Sequence, residues 1–302
     1  MYSCWQAGVL PWLETWQPDA LIVEANPRYV STRAALGWMQ RRQKPVIGWG
    51  LGVMSVSGSR WRKFLNTWRL RRWSGFLQRF DAMICYSKSG AEQYCALGFP
   101  ADRVVVAPNA VAPRPVPPME RPVVVSGPPH VLFVGRLQAR KRIDLLLDAC
   151  AALPTNLQPS LTIVGDGPDR ATMEAHAQAI YPKAAFVGAR SGEAPRPYFA
   201  AADLFVLPGT GGLAIQQAMA HTLPVIVADG DGTQSNLVRP ESGWLVTPGD
   251  QQALQSALAD ALSNVARLRH MGAEAYRIVA EEVNLEKMVE AFLRVLHLVT
   301  QR

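Results

Sequence analysis

Acidic residues are missing from a long N-terminal stretch. Between Ala25 and Phe80 there is no Asp or Glu, while twelve Lys and Arg fall in the same window. The rest of the chain holds all 24 acids and is net acidic, so the overall charge of +7 belongs to one segment. No apolar run reaches the ~18–20 residues that a membrane-spanning helix needs, and nothing here reads as crossing a bilayer. The first residues, MYSCWQAGVLPWLETW, have no basic stretch ahead of an apolar one and do not read as a signal peptide. Cysteines are few: Cys4, Cys85, Cys95 and Cys150 show neither C-x-x-C nor metal-ligand spacing. They read as free thiols of a reducing, cytoplasmic compartment.

What is present is a core-forming composition, 49% hydrophobic over 302 residues, enough for two domains. Eight of the nine tryptophans precede residue 74. Residues 111–129, VAPRPVPPMERPVVVSGPP, hold seven prolines, which fix φ and cannot donate to a sheet ladder. They read as an extended linker. Beyond it, HVLFVG (130–135), LTIVG (161–165), AAFVG (184–188), LFVLP (204–208), PVIVA (224–228) and GWLVT (243–247) are short apolar runs separated by helices or loops. Such alternation predicts a parallel sheet covered on both faces, the doubly wound α/β architecture. Before the linker the same grammar is shorter, with strands at 20–25, 45–50, 82–87 and 103–108 and helices at 29–43, 61–77 and 88–97. LEKMVEAFLRVLHLVTQ places Leu285, Met288, Val289, Phe292, Leu296 and Val299 on one face of a terminal helix. The expected layout is an N-terminal domain over 1–112, a linker over 113–129, a second domain over 130–283, and a helix over 284–302 that packs back toward the first domain.

Three stretches carry chemistry. In VGRLQARKRID a strand ends in Gly135, Arg136 follows, and Lys141 arrives five residues later, entering a helix. The carboxyl edge of a parallel sheet is where such folds take ligands, and an Arg fork with a Lys point charge suits a diphosphate. A solvated basic turn would have the same composition. In GTGGLAIQQAMA (209–220), Gly209, Gly211 and Gly212 let backbone approach a ligand, and a helix opening near Leu213 presents free N–H groups. Gln217 can donate to and accept from hydroxyls. A tight strand-to-helix turn would also use these glycines, and VGDGPDR (164–170) reads as such a structural turn. In RWRKFLNTWRLRRWSGFLQRF (60–80), Trp61, Phe64, Leu65 and Trp68 share one side while Arg62, Lys63, Arg69 and Arg71 lie largely elsewhere. That suits an anionic membrane surface or acidic partner. It equally suits a helix packed on a sheet, and single-stranded nucleic acid is the weakest match, so no nucleic-acid partner is expected.

Together these segments resemble the retaining glycosyltransferases of family 4, whose GT-B fold pairs two doubly wound domains. The resemblance runs over residues 18–299 through VGRLQARKRIDLLLDA, LTIVGDGPDRATME, AAFVGARSGEAPRPYFAAADLFVLP, GLAIQQAMAHTLPVIVAD and SGWLVTPGD, and through FDAMICYSKSGAEQYCALGFPADRVVVAPNAV in the first half. It implies a nucleotide-diphosphate sugar as donor, bound by the second domain. Arg136 and Lys141 would take its diphosphate. Backbone at Phe186, Val187 and Gly188 would meet the base, Gln217 the ribose, and the Gly209–Leu213 loop the sugar and phosphate. Transfer to a glycan or lipid-linked acceptor would retain the anomeric configuration through a front-face displacement. The donor's own phosphate would help deprotonate the acceptor, with no metal and no cofactor.

Departures from the family pattern are specific. The family carries two glutamates eight positions apart across this loop, where Gly209 and Gln217 stand. Its histidine near the fourth strand of the first domain is absent from Val23-Glu-Ala-Asn26. The resemblance also enters at that fourth strand, ALIVEA, which implies a shortened N-terminal domain and an open sheet edge. Such an edge predicts a homodimer or a partner chain. The rival to a transferase is a non-catalytic nucleotide-sugar-binding or scaffold protein. A sugar-nucleotide epimerase shares the two-domain fold but needs carboxylates and a histidine that the pattern does not supply. The expected location is cytoplasmic, with the inner face of a membrane as the surface that the basic, Trp-rich segment would suit.

Overall fold

The computed structural model describes residues 3–52, 73–110, 112–116, 127–230 and 233–301. The chain divides into two compact units, Met1–Asn109 with Glu286–Arg302, and Ala110–Leu285.

In the first unit, Val- and Ile-rich runs form four parallel strands: β1 (Leu21–Glu24), β2 (Val46–Gly50), β3 (Ala82–Cys85) and β4 (Val104–Val106), paired in sequence order. Every residue of β3 is buried, as an inner parallel strand covered on both faces requires. One face carries α1 (Val9–Trp16), α2 (Val30–Gln40) and the helical residues 73–77, with Leu13, Leu36, Met39, Leu77, Phe80 and Met83 in a common core. Helix α1 was not expected from the residue pattern. It is tied down by Glu14, which accepts from Trp38 Nε1 at 2.5 Å and from Arg42 at 3.1 Å, while Arg42 stacks 3.8 Å from the Trp38 ring. Among the described residues, β1 pairs on one side only.

The opposite face is covered by the terminal helix, Leu285–Thr300, whose Ala291, Val295 and Val299 pack with Ile47, Ala82, Ile84 and Ala107. This line differs from the stripe read from sequence. Ala291 is small enough to seat the helix close to the sheet, and that rotation leaves Val289 53% exposed. Of the basic, Trp-rich segment, residues 60–72 lie outside the described residues. Its end is a packing element, with Phe76, Leu77 and Phe80 buried and Trp73 half-buried.

The second unit holds β5 (His130–Val134), β6 (Ser160–Val164), β7 (Ala184–Gly188), β8 (Leu204–Leu207), β9 (Val225–Ala228) and β10 (Gly243–Val246). All pair in parallel, in the order β10-β9-β8-β5-β6-β7. The chain builds outward from β5 to β7, then returns to the other side of β5 for β8 to β10. The order therefore reverses between β5 and β8, and a crevice opens outside their carboxyl ends. Helices α4 (Ile143–Ala151), α5 (Arg170–Ile180), α7 (Leu213–Ala220), α9 (Gln251–Leu262) and α10 (Val265–Glu281) bury their apolar stripes on this sheet. Here α3 is Lys88–Ala96, α6 is Arg196–Ala201 and α8 is Gln234–Leu237.

At the amino ends of β5 and β8, buried Asp203 accepts from His130 N at 2.8 Å and from Arg269 of α10 at 2.5 Å. The start of the proline-rich segment is pinned to α10, with Arg114 donating to Ala280 O at 2.7 Å and Tyr276 donating to Pro115 O at 2.9 Å. Residues 117–126 of that segment lie outside the described residues.

Candidate functional site

The turn after β5 is built from fixed backbone. Gly135 N donates to Val164 O at 3.0 Å, and buried Leu137 is held at both ends, its N–H on Asp166 O at 2.9 Å and its O on Asp169 N at 3.2 Å. VGDGPDR is therefore structural: a Cβ on Gly165 would overlap the Gly135 carbonyl oxygen. Between these anchors Arg136 is exposed and, among the described residues, makes no hydrogen bond or ion pair. Lys141 does not enter an α-helix as its spacing suggested. It ends a 3₁₀ turn, Ala139–Lys141, because Arg142 takes a left-handed conformation (φ +52°) before α4 begins at Ile143. Arg142 then clamps Asp144 at 3.0 Å.

Lys141 is 8% exposed and is the only buried Lys or Arg among the described residues. Its Nζ donates to Thr210 O at 2.9 Å. Burial first, and Arg140 second, hold its ammonium below the ordinary lysine pKa. Thr210 in turn donates its N–H to Arg140 O at 2.9 Å. Two backbone segments, 140–141 and 209–210, are thus clasped together at the carboxyl ends of β5 and β8. Gly209 allows the clasp, since a Cβ there would overlap the Arg140 carbonyl oxygen and the Lys141 backbone. Beyond it, Gly211 lies beside both cations: a Cβ there would be 3.7 Å from Arg140 Nη1 and 3.9 Å from Lys141 Nζ. Gly212 leads into α7, whose first residue, Leu213, is 45% exposed, and Gln217 is exposed on the same helix.

The structure therefore gathers Gly135, Arg136, Lys141 and the Gly209–Leu213 loop at the reversal point of the sheet. Phe186, Val187 and Gly188 lie two strands away on β7, about 10 Å at normal strand spacing. Their strand is bulged, for Ile163 pairs with Phe186 but Val164 with Gly188, leaving Val187 as the extra residue. A bulge leaves backbone groups unpaired and re-aims side chains. Arg140 and Thr210 were missed by the sequence reading. Their roles are made by backbone atoms, which no residue pattern announces. A cavity of about 310 Å³ lined by Gln138, Arg142, Asp144, Asp169 and Met173, among others, lies between the starts of α4 and α5, and neither Arg136 nor Lys141 lines it. Among the described residues no three His, Cys, Asp or Glu side chains converge as a metal-ligand set.

An exposed Arg, a buried Lys and a glycine-led helix at a sheet reversal are the features with which α/β folds of this kind take anionic ligands. Family comparisons make this specific. The Glycosyl transferases group 1 model matches residues 119–278, more than half of the chain, and the Glycosyltransferase Family 4 model matches residues 4–114. The chain belongs to the group 1, family 4 glycosyltransferases.

It is 31% identical over 239 residues to a GDP-mannose-dependent alpha-mannosyltransferase of Mycolicibacterium smegmatis, covering 76% of this chain and 58% of that protein. A second protein of that description, from Mycobacterium tuberculosis, is 35% identical over 50% of this chain and 38% of its own length. The chain thus spans well under two thirds of these relatives. Among solved structures, Anabaena Alr3699/HepE in complex with UDP superposes with a TM-score of 0.73 at 18% identity, covering 95% of this chain and 81% of that one. The apo lipopolysaccharide outer core galactosyltransferase WaaB gives 0.69 at 20%, covering 94% and 77%. These likenesses carry the fold, which is GT-B-like: two parallel-sheet α/β units.

Proposed function

We propose that this chain binds a nucleoside-diphosphate sugar through its second unit and transfers the sugar to a glycan or lipid-linked acceptor. The observation that carries this is the buried Lys141 ammonium, held beneath a glycine loop beside exposed Arg136 at the sheet reversal. A buried cation whose acceptor is a single carbonyl has two further N–H donors for an anion. As the glycosidic bond breaks, negative charge grows on the leaving diphosphate. Lys141 and Arg136 compensate that charge from fixed positions, without reorganising water. Loop N–H groups of residues 211–213 supply the remaining donors.

The transfer proceeds with retention, the departing phosphate taking the acceptor's proton on the same face. The mannosyltransferase relatives support a sugar nucleotide as substrate, and the UDP complex of a fold neighbour is consistent with it. The basic segment before Phe80 would hold the protein at an anionic membrane surface, and the open side of β1 would take a partner strand or a second copy.

A second reading is favoured by one observation. Gly209 has no room for a side chain and Gln217 is neutral, so the loop offers no carboxylate to the transferred sugar. On that reading the chain binds sugar nucleotides without turning them over. Calorimetry with nucleoside diphosphates, followed by an assay for released diphosphate from their sugars, separates the two. Lys141→Ala and Arg136→Ala are each expected to weaken binding about tenfold or more, the loss of a charge-assisted bond. Unchanged dissociation constants would remove both residues from the site.

A further inference from the structure

One cation on the same sheet edge is left without a role. Arg190 follows Gly188 by two residues, is exposed, and donates Nη1 to the carbonyl of Ala189 at 3.1 Å. That bond folds its guanidinium back over the end of β7, so that a Cβ on Gly188 would lie 3.9 Å from Arg190 Nη1 and 3.2 Å from Arg170 Nη1. Gly188 has φ +78°, a conformation that excludes most side chains, and the missing Cβ leaves a gap between two guanidinium groups. The two arginines differ. Arg170 is engaged by Glu174 at 2.7 Å and Asp166 at 3.4 Å, which fixes it in place. No carboxylate pairs with Arg190 among the described residues, and its remaining N–H groups are open.

We infer that Arg190 reads the base of the donor and selects guanine over uracil. The inference rests on the donor reading above. Its first support is reach. The ends of β5 and β7 lie two strand spacings apart, about 10 Å, which is the span of a ribose and one phosphate. Gly135, Gly165 and Gly188 stand at the carboxyl ends of β5, β6 and β7, and the Gly135 carbonyl packs directly on Gly165, so the turn after β5 keeps close to the sheet along this path. The second support is the bulge at Val187, which frees backbone groups where a planar base would lie.

The third support is chemistry. The guanine edge presents O6 and N7 as adjacent acceptors, the pattern that a guanidinium fork matches with two parallel bonds. Uracil presents O4 beside an N–H donor, so the fork makes one bond and faces a donor with the other.

Calorimetric titration of the full chain with GDP and with UDP tests this, in the unmodified protein, in Arg190→Met and in Arg190→Lys. The unmodified chain is expected to prefer GDP by roughly tenfold or more, the discrimination of one bidentate pair. Arg190→Met is expected to weaken GDP about tenfold and UDP less than about twofold. Arg190→Lys, which keeps the charge without the fork, should also lose the preference. Equal weakening of GDP and UDP would make Arg190 a phosphate cation and overturn the inference. So would a GDP preference that survives Arg190→Met, or a preference for UDP in the unmodified chain. If neither nucleoside diphosphate binds the unmodified chain, the donor reading itself falls and takes this inference with it.

Discussion

Gly209 is the position where the clasp between the two halves of the site can be tested most sharply. In Gly209→Ala the new methyl group would meet the Arg140 carbonyl oxygen and the Lys141 backbone, neither of which can rotate away. The loop after β8 must therefore move off the turn after β5 by about an ångström. Such overpacking costs about 1–3 kcal/mol. The movement also strains Thr210 N to Arg140 O, 2.9 Å, and Lys141 Nζ to Thr210 O, 2.9 Å. The first is a neutral bond of about 1 kcal/mol net, and the second, with a charged donor, contributes about 1.5–3 kcal/mol. These terms overlap, since moving the loop relieves the clash as it breaks the bonds, so the net loss is about 3 kcal/mol. For a unit of this size that lowers the melting temperature by about 6–12 °C. Thermal unfolding read by near-UV signal, with nucleoside diphosphate titration at 25 °C, measures both consequences. Gly209→Glu introduces the residue type of the family pattern, and it too is expected to melt lower and bind less tightly than the unmodified chain. A Gly209→Ala protein that melts within about 1–2 °C of the unmodified chain and binds diphosphate equally would refute the clasp.

Other consequences follow from single groups. The Lys141 ammonium has a lowered pKa, and a bound diphosphate would favour its charged form and raise that pKa again. Binding should therefore take up a proton on the alkaline side and weaken as pH rises through the depressed pKa; titrations in buffers of different ionisation enthalpy will show this uptake, and Lys141→Ala should abolish it. Asp203→Ala removes the partner of the Arg269 guanidinium, 12% exposed, and of His130 N at the amino ends of the strands. It is expected to cost about 3–5 kcal/mol in chemical denaturation while leaving diphosphate affinity unchanged under native conditions. Because the 209–217 loop offers a sugar no carboxylate, a nucleoside diphosphate should bind about as tightly as its sugar; a sugar nucleotide that binds tenfold tighter would contradict this.

The sheet was legible because parallel strands buried on both faces must be apolar throughout. HVLFV, LFVL and VIVA can scarcely be anything else once helices alternate with them. The place of the candidate site was legible where side-chain type marks it, at Arg136 and Lys141, or where several glycines follow a strand. It was not legible where backbone carries it. Nothing in ARKR says that the Arg140 carbonyl receives Thr210, and nothing in GTGG says which glycine is there for close packing. Helix α1 escaped for a related reason. Pro11, two indoles and a Thr make a weak local pattern, and the helix is held from outside by the Glu14–Trp38–Arg42 contacts. The terminal helix was recognised but rotated, because hydropathy ranks Val289 above Ala291 while the fit against β2 and β3 favours the smaller side chain.

The absence of both carboxylates and the presence of the clasp bear on one another. A carboxylate on the loop after β8 would stand close to Arg140 and Lys141 and would draw on the same cations that a diphosphate needs. With glycine at 209 the loop contributes carbonyl and N–H groups alone, and all the charge comes from the turn after β5. On the proposed reading the site is then one-sided: cations would face the leaving group and neutral backbone the sugar. Charge compensation is needed where charge develops during bond breaking, which is at the phosphate. Hydroxyl recognition serves a different purpose, fixing which sugar is held and in what orientation. Loss of the second function does not entail loss of the first. A chain with this loop can therefore keep the electrostatic part of catalysis and relax the selection of the sugar, and selection would then fall on the base, at the far end of the donor, and on the acceptor.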